Sequence, residues 1–144
     1  MNKVFKVVAV SALSISSANV FAVSDTFDAT LEVKQAITMT KMSDLDFGII
    51  TSDNTIDIVV AQGDVGAAAF TLSGESGDTV TVSISDTNLV NGVNTIAAEF
   101  DFNNAITLTG GTADLNIGGT ARTSSATLVA GTYTANVAVD VTYQ

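Results

Sequence analysis

The last fourteen residues of the chain alternate between apolar and polar side chains. Tyr133, Val137, Val139, Val141 and Tyr143 are apolar or aromatic, and small or polar residues separate them. Because successive side chains of a strand point to opposite faces, this pattern predicts a strand with one buried and one solvent-facing side. We expect such a strand either to complete a sheet of its own domain or to pair with another chain.

The chain after residue 22 consists of short runs rich in Val, Ile and Thr, separated by Gly, Asn, Asp and Ser. Apolar residues recur at every second position, and no run has the period of a helix. This pattern predicts an all-β fold, an antiparallel sandwich of about eight short strands. The predicted strands cover residues 27–39, 55–61, 67–73, 79–85, 96–103, 105–108, 113–117, 123–129 and 133–143. The predicted turns lie at residues 52–54, 74–77, 91–92, 110–111 and 118–119.

The N-terminal residues have the composition of a secretory signal. Lys3 and Lys6 are followed by an apolar run, and small residues precede the bond after Ala22. We therefore predict a signal peptide over residues 1–22 and a single β-sandwich domain over residues 23–144, exported through the inner membrane. No later run is long and apolar enough to span a bilayer, so we expect no membrane insertion.

The predicted domain is strongly acidic. It keeps Lys34, Lys41 and Arg122 against fifteen Asp and Glu residues, a net charge of 3 − 15 = −12. Such a surface repels nucleic acid, so we expect no nucleic-acid partner. The chain also has no cysteine, so packing and hydrogen bonds alone must hold an exported domain together.

The sequence offers little for catalysis. It has neither His nor Cys, which supply the commonest general base and the strongest nucleophile. Two carboxylate pairs, Asp44 with Asp46 and Glu99 with Asp101, would each share a strand face, and we interpret them as solvent-facing. We therefore predict no enzyme activity, no catalytic residue and no cofactor.

A metal site is also not expected. Asp86–Asn88 and Asp114–Asn116 offer oxygen ligands, but neither has the spacing of a twelve-residue calcium loop. We interpret both as turn residues, with weak calcium binding by a loop as the alternative.

The C-terminal segment resembles the last strand of pilins that are assembled by the chaperone–usher route. Its penultimate residue is Tyr143, its valines alternate, and Gly131 is the fourteenth residue from the end. The body of the chain resembles a small secreted all-β family catalogued as domain of unknown function 4402. That likeness runs through Leu45–Gly48, Phe70–Gly74, Gly118–Thr120 and Ala130–Tyr133.

The resemblance to pilins implies an immunoglobulin-like sandwich that lacks one strand. A periplasmic chaperone covers the resulting groove, and the N-terminal extension of the next subunit then replaces it at an outer-membrane usher, giving a homopolymer. The chain would then be a structural subunit of a surface fimbria, or pilus, that supports adhesion or biofilm formation. The resemblance implies that the donor residues are Phe27, Ala29, Leu31 and Val33, within an extension over residues 23–34. It implies that the residues of the chaperone and assembly strand are Gly131, Tyr133, Val137, Val139, Val141 and Tyr143.

Two alternatives remain open from the sequence. The alternation of apolar and polar residues over 27–33 fits an ordinary first strand of the same domain equally well. The whole protein would then be a monomeric secreted module that binds matrix or carbohydrate. The receptor and the position of the subunit in a fibre are not encoded in any motif.

We predict that the exported protein is processed after Ala22, because the basic start, apolar run and small residues together form a signal. N-terminal sequencing of the exported material should begin at Val23. Exported protein that retains Lys3 and Lys6 would contradict this expectation.

Overall fold

A computed structural model describes residues 23–144 of the chain. The predicted signal peptide, residues 1–22, lies outside the described residues. Residues Val33–Gln144 form one compact unit, and residues 23–32 do not belong to it. The strands of the compact unit are β1 (Thr38–Ser43), β2 (Ile58–Val60), β3 (Ala68–Ser73), β4 (Thr79–Ile84), β5 (Thr87–Asn91), β6 (Asn94–Phe102), β7 (Ala105–Thr107), β8 (Thr112–Ala121) and β9 (Val139–Tyr143).

The strands form two antiparallel sheets. The first has six strands in the order β1-β3-β8-β6-β5, and β2 pairs with the end of β8 beyond β3. The second has three strands in the order β7-β4-β9. Within residues 23–144 the only helical element is a single 3₁₀ turn, so the prediction of an all-β, antiparallel fold is confirmed.

The core lies between side chains of the two sheets. Leu72 and Leu115 from the larger sheet pack with Val80 and Val82 from the smaller one, and all four are at most 2% exposed. Leu108, which follows β7, is also fully buried. Each of these positions lies on the apolar side of an alternating run, and burial of each side chain contributes about 1.5–3 kcal/mol.

Gly118 and Gly119 do not form the predicted turn. Both lie inside β8, where β2 and β6 approach it from opposite sides. A Cβ at Gly118 would clash with the carbonyl oxygen of Val60, and one at Gly119 would lie 2.9 Å from the carbonyl oxygen of Glu99. The glycines therefore allow close approach of neighbouring backbones rather than a reversal of the chain. In contrast, Gly110 and Gly111 adopt the positive φ angles of 69° and 85° expected of turn residues.

The predicted strand over residues 123–129 is also wrong. Thr123–Ser125 form a 3₁₀ turn instead, and Thr123 is only 2% exposed. Its hydroxyl donates to the carbonyl oxygen of Ile56 at 2.5 Å and accepts from the amide of Asn54 at 3.1 Å. These bonds hold the chain in a turn that side-chain alternation cannot reveal.

Residues 86–88 were predicted as a turn, but β5 begins at Thr87. The carboxylate of Asp86 accepts a hydrogen bond from the backbone N–H of Phe100 in β6, at 3.0 Å. The side chain therefore joins two neighbouring strands instead of bonding its own backbone. Asp114 lies within β8, and its carboxylate accepts from the Thr71 hydroxyl across the sheet, at 3.3 Å.

The last strand is shorter than the predicted strand over residues 133–143. It is β9, which covers only Val139–Tyr143. Upstream of it, Thr134 makes an isolated antiparallel bridge with Val90 of β5, with N–H to oxygen bonds of 2.8 and 3.1 Å. The chain thus touches the edge of the larger sheet before it enters the smaller one. The first strand likewise begins at Thr38 and not at Phe27.

We predict that Val139→Asp destabilises the domain by several kcal/mol, whereas Thr142→Asp has little effect. Val139 is half-buried and packs against the core, so its replacement would place a carboxylate without a partner against apolar side chains, while Thr142 is exposed on the other face of β9. Urea unfolding of both variants measures the difference. Equal losses of stability would contradict this assignment of the faces.

Candidate functional site

The last strand has one unoccupied edge. β9 pairs with β4 from Val139 to Tyr143, and no strand of residues 23–144 pairs with its other side. β1, at the border of the larger sheet, likewise pairs only with β3. An open edge presents backbone N–H and C=O groups that can pair with a further strand.

An apolar groove lies over the inner face of the larger sheet and has a volume of about 1270 Å³. Residues 44–52 and residues 128–137, the latter leading into β9, line the groove. Its floor consists of side chains from strands of the larger sheet. The principal apolar floor residues are Ile58, Ala68, Phe70, Ile96, Phe100 and Ile117.

Several side chains next to this groove are only partly buried, although they pack against the core. Phe70 and Phe100 are examples from the larger sheet, and Ile84 is one from β4. Apolar surface that stays in contact with water loses stabilisation of about 25 cal/mol per Å². A further apolar strand or ligand in the groove would therefore gain free energy by covering these groups.

The residues predicted for the assembly strand fall into two groups. Val137, Val139, Val141 and Tyr143 are all half-buried, and the last three are in β9. Gly131 and Tyr133 precede that strand: Gly131 has a φ of 145° against the side chain of Asn91, and the Tyr133 hydroxyl accepts from the Val129 N–H at 3.1 Å. Gly131 and Tyr133 therefore line the groove rather than belong to the strand.

The residues predicted as donors lie in a segment without a strand. Residues 23–37 contain no strand, turn or bend. The side chains of Phe27, Leu31 and Val33 are 90%, 89% and 82% exposed, and Ala29 is exposed as well. Large apolar side chains at regular spacing and in water are typical of a segment that binds a partner.

Tyr143 makes contacts that the sequence does not predict. Its hydroxyl donates to the carbonyl oxygen of Gln35 and accepts from the N–H of Glu75, both at 2.6 Å. The Gln35 N–H in turn donates to the Glu75 carboxylate at 3.1 Å, and Lys34 pairs with Asp78 at 2.6 Å. We call these five residues the clasp, because they tie the start of the compact unit to the end of β9.

No local pattern in the sequence indicates the clasp. A Cβ at Gly74 would lie 2.5 Å from the Tyr143 hydroxyl, so a glycine is needed where the ring reaches the turn after β3. That contact joins residues far apart in the chain, and spacing alone does not reveal it.

Arg122 connects three segments of the chain. Its guanidinium contacts both carboxylate oxygens of Glu99 at 3.0 and 2.5 Å, and reaches Asp57 at 3.1 Å. Hydrogen bonds from Arg122 lower the pKa of Glu99. Bonds from Ser124, followed by the bond from Arg122, lower the pKa of Asp57. The cluster thus fastens the segment around Asp57 to the end of β8.

The carboxylate pairs considered for catalysis are exposed. Asp44 and Asp46 are exposed, while Leu45 and Phe47 between and after them are half-buried, as predicted. In the second pair, Glu99 is bound to Arg122 and Asp101 accepts from Gln62 at 3.1 Å. Over the described residues, no group of three or more acidic, His or Cys side chains is arranged to hold a metal ion.

The comparisons with known proteins place the chain in a family. A family model described as Domain of unknown function (DUF4402) matches residues 37–143, which is most of the chain and includes all nine strands of the described residues. The chain therefore belongs to this family. Neither the curated proteins nor the solved structures gave a match. No helix in the described part of the chain is long and apolar enough to cross a membrane.

We predict that Arg122→Gln lowers stability more at pH 7 than at pH 3. The pKa values of Glu99 and Asp57 are lowered by folding, so their contribution is complete above the ordinary carboxylate range, about pH 4, and is lost as the pH falls further. Urea unfolding of both proteins at the two pH values measures this.

Lys41→Gln is the matched control, because Lys41 pairs with Asp44 at an exposed position. We expect it to change stability little at either pH. An Arg122→Gln effect of equal size at pH 3 and pH 7 would contradict a role for the two carboxylates.

Proposed function

We propose that this chain is the structural subunit of a surface fimbria that assembles by strand exchange between copies. In this proposal the domain is an immunoglobulin-like sandwich without one strand, and residues 23–34 of a second copy supply it. The observation that carries the proposal is an open, apolar groove that reaches Val137, just before strand β9 with its open edge, together with an exposed segment of alternating apolar residues.

The dimensions of donor and acceptor agree. Phe27, Ala29, Leu31 and Val33 are four alternating positions, and so are Val137, Val139, Val141 and Tyr143. At about 3.3 Å per residue, each set spans about 20 Å, so a donor strand could run the length of the acceptor. Its outward side chains, such as Glu32, would remain in solvent.

The energetics favour a stable junction. Burial of Phe27, Leu31 and Val33 would contribute about 1.5–3 kcal/mol for each side chain. The backbone of the donor would also satisfy the open edge of β9, with a net gain of about 1 kcal/mol for each hydrogen bond. The main-chain ladder supplies affinity and the alternating side chains supply specificity, as in other cases of strand addition.

The same features explain the partners that we propose. A free subunit would expose both an apolar groove and a strand edge, which together favour aggregation. A periplasmic chaperone would protect the groove until an outer-membrane usher allows the next donor to enter. The function of the fibre would then be adhesion or biofilm formation at the surface of a Gram-negative cell, without catalysis.

A second candidate function is a monomeric secreted binding module. The groove itself favours it, because concave apolar sites often bind small molecules. Its volume of about 1270 Å³ and its length along residues 128–137 would suit an extended ligand. In that case the N-terminal segment would not be needed to fill it.

We predict that a peptide spanning Ser24–Gln35 raises the melting temperature of a chain that lacks residues 23–33. Because the peptide would bind only the folded subunit, the temperature shift should grow with peptide concentration. At a peptide concentration of a hundred times Kd, binding would raise the free energy of unfolding by about 2.7 kcal/mol. Differential scanning calorimetry measures the shift. The truncated chain should also fail to polymerise.

Two control peptides test the faces of the donor. Leu31→Asp should abolish the shift, because residue 31 would face the groove, whereas Glu32→Gln should leave it unchanged. A truncated chain that still forms fibres, or a peptide without effect at any concentration, would exclude the donor assignment and favour the binding module.

A further inference from the structure

The direction of the chain at the clasp limits where the donor segment can bind, an inference that rests on the proposed function. β3 ends at Ser73, which pairs with Thr38 at the start of β1, and the next residue, Gly74, contacts Tyr143 at the end of β9. β1 therefore begins, and β9 ends, at the same end of the domain. The chain passes through residues 33–37 into β1 without a turn or bend.

We propose that the clasp prevents the donor segment from entering the groove of its own subunit, so that strand exchange occurs only between copies. Tyr143 acts as the positioning residue. It fixes Gln35 at the end of the domain where β9 stops, through the bond from its hydroxyl to the Gln35 carbonyl oxygen at 2.6 Å.

If the donor segment paired antiparallel to β9 of its own subunit, the chain between it and the clasp would be too short. Val33 would then lie at the far end of the acceptor, about 20 Å from the clasp. Only Lys34 separates Val33 from Gln35, and the two steps between them reach about 7 Å. This arrangement cannot form while Gln35 is held.

A parallel return requires a tight reversal. Val33 would then lie near Tyr143, and the chain would have to turn between Val33 and Thr38 to enter β1 in the opposite direction. The residues available are Lys34–Ile37, and none of them is Gly, Asn or Pro, the residues that favour tight turns. Lys34 and Gln35 are also held, by Asp78 at 2.6 Å and by Glu75 at 3.1 Å.

A donor from a second copy is limited neither by chain length nor by a tight reversal, because the clasp that holds it lies on the second copy. The clasp would thus direct each N-terminal segment to another subunit. Without it, a subunit that filled its own groove would be a stable monomer and a dead end for assembly.

An insertion of Asn-Gly-Asn-Gly between Val33 and Lys34 tests the proposal in the chain of residues 23–144. These residues permit the reversal and leave the clasp intact, so the refolded variant should be mainly monomeric by light scattering, with a melting temperature independent of concentration. An insertion of four threonines at the same place has equal length but favours extended backbone, so it does not supply the reversal that a return in either direction needs. That control should polymerise like the native chain.

Tyr143→Phe tests the clasp itself, because it keeps the ring and removes only the hydroxyl. Hydrogen exchange at the Glu75 N–H, which loses its acceptor, should become about tenfold faster, and exchange at the Gln35 N–H should rise because the carbonyl of the same residue is no longer held. The monomer fraction after refolding should rise above that of the native chain. Unchanged exchange at both positions would overturn the role of Tyr143.

The outcomes separate the two proposals. If the native chain polymerises and the glycine insertion does so equally, the clasp does not direct exchange, but the proposed function stands. If the native chain refolds to a monomer whose own segment is protected from exchange, the clasp proposal is overturned. If the Ser24–Gln35 peptide fails to bind the truncated chain, the proposed function itself is wrong.

Discussion

The smaller sheet does not cover the larger one, and this mismatch governs the rest of the structure. Three strands face six, and the main buried cluster forms where Val80 and Val82 of β4 pack against the larger sheet. Leu72 and Leu115 lie there and are shielded from water, whereas Phe70 and Phe100 are half-buried beside the groove. A further strand or ligand that covered this apolar surface would lower the free energy of the protein.

Much of the fold follows from side-chain alternation. The strands β3, β4 and β6 lie close to their predicted positions, because each has one face in the core and one in water. The turn at Gly92 also follows from local sequence, since a positive φ of 63° favours glycine there. Such elements depend on neighbours in the chain and can be recognised from it.

Other elements depend on contacts between distant residues, and the sequence did not predict them. The glycine pair inside β8 is needed for the approach of β2 and β6, not for a turn. Thr123 forms a turn because it bonds to Ile56, and β9 starts late because Thr134 bridges to β5. In the candidate site, the apolar face of β9 was predictable, but the lining of the groove and the contacts of Tyr143 were not.

The hydroxyl of Tyr143 has a mechanical consequence. A force that pulls on the chain at Val33 would be shared between β1, which follows in the chain, and the bond that joins Gln35 to Tyr143 at the end of β9. β9 is bonded to β4 along its whole length, from Tyr143 opposite Val80 to Val139 opposite Ile84. A pull along the axis of β9 would load these bonds together in shear instead of opening them one after another. A chain without cysteine would in this way resist extension through the orientation of its hydrogen bonds rather than through covalent cross-links.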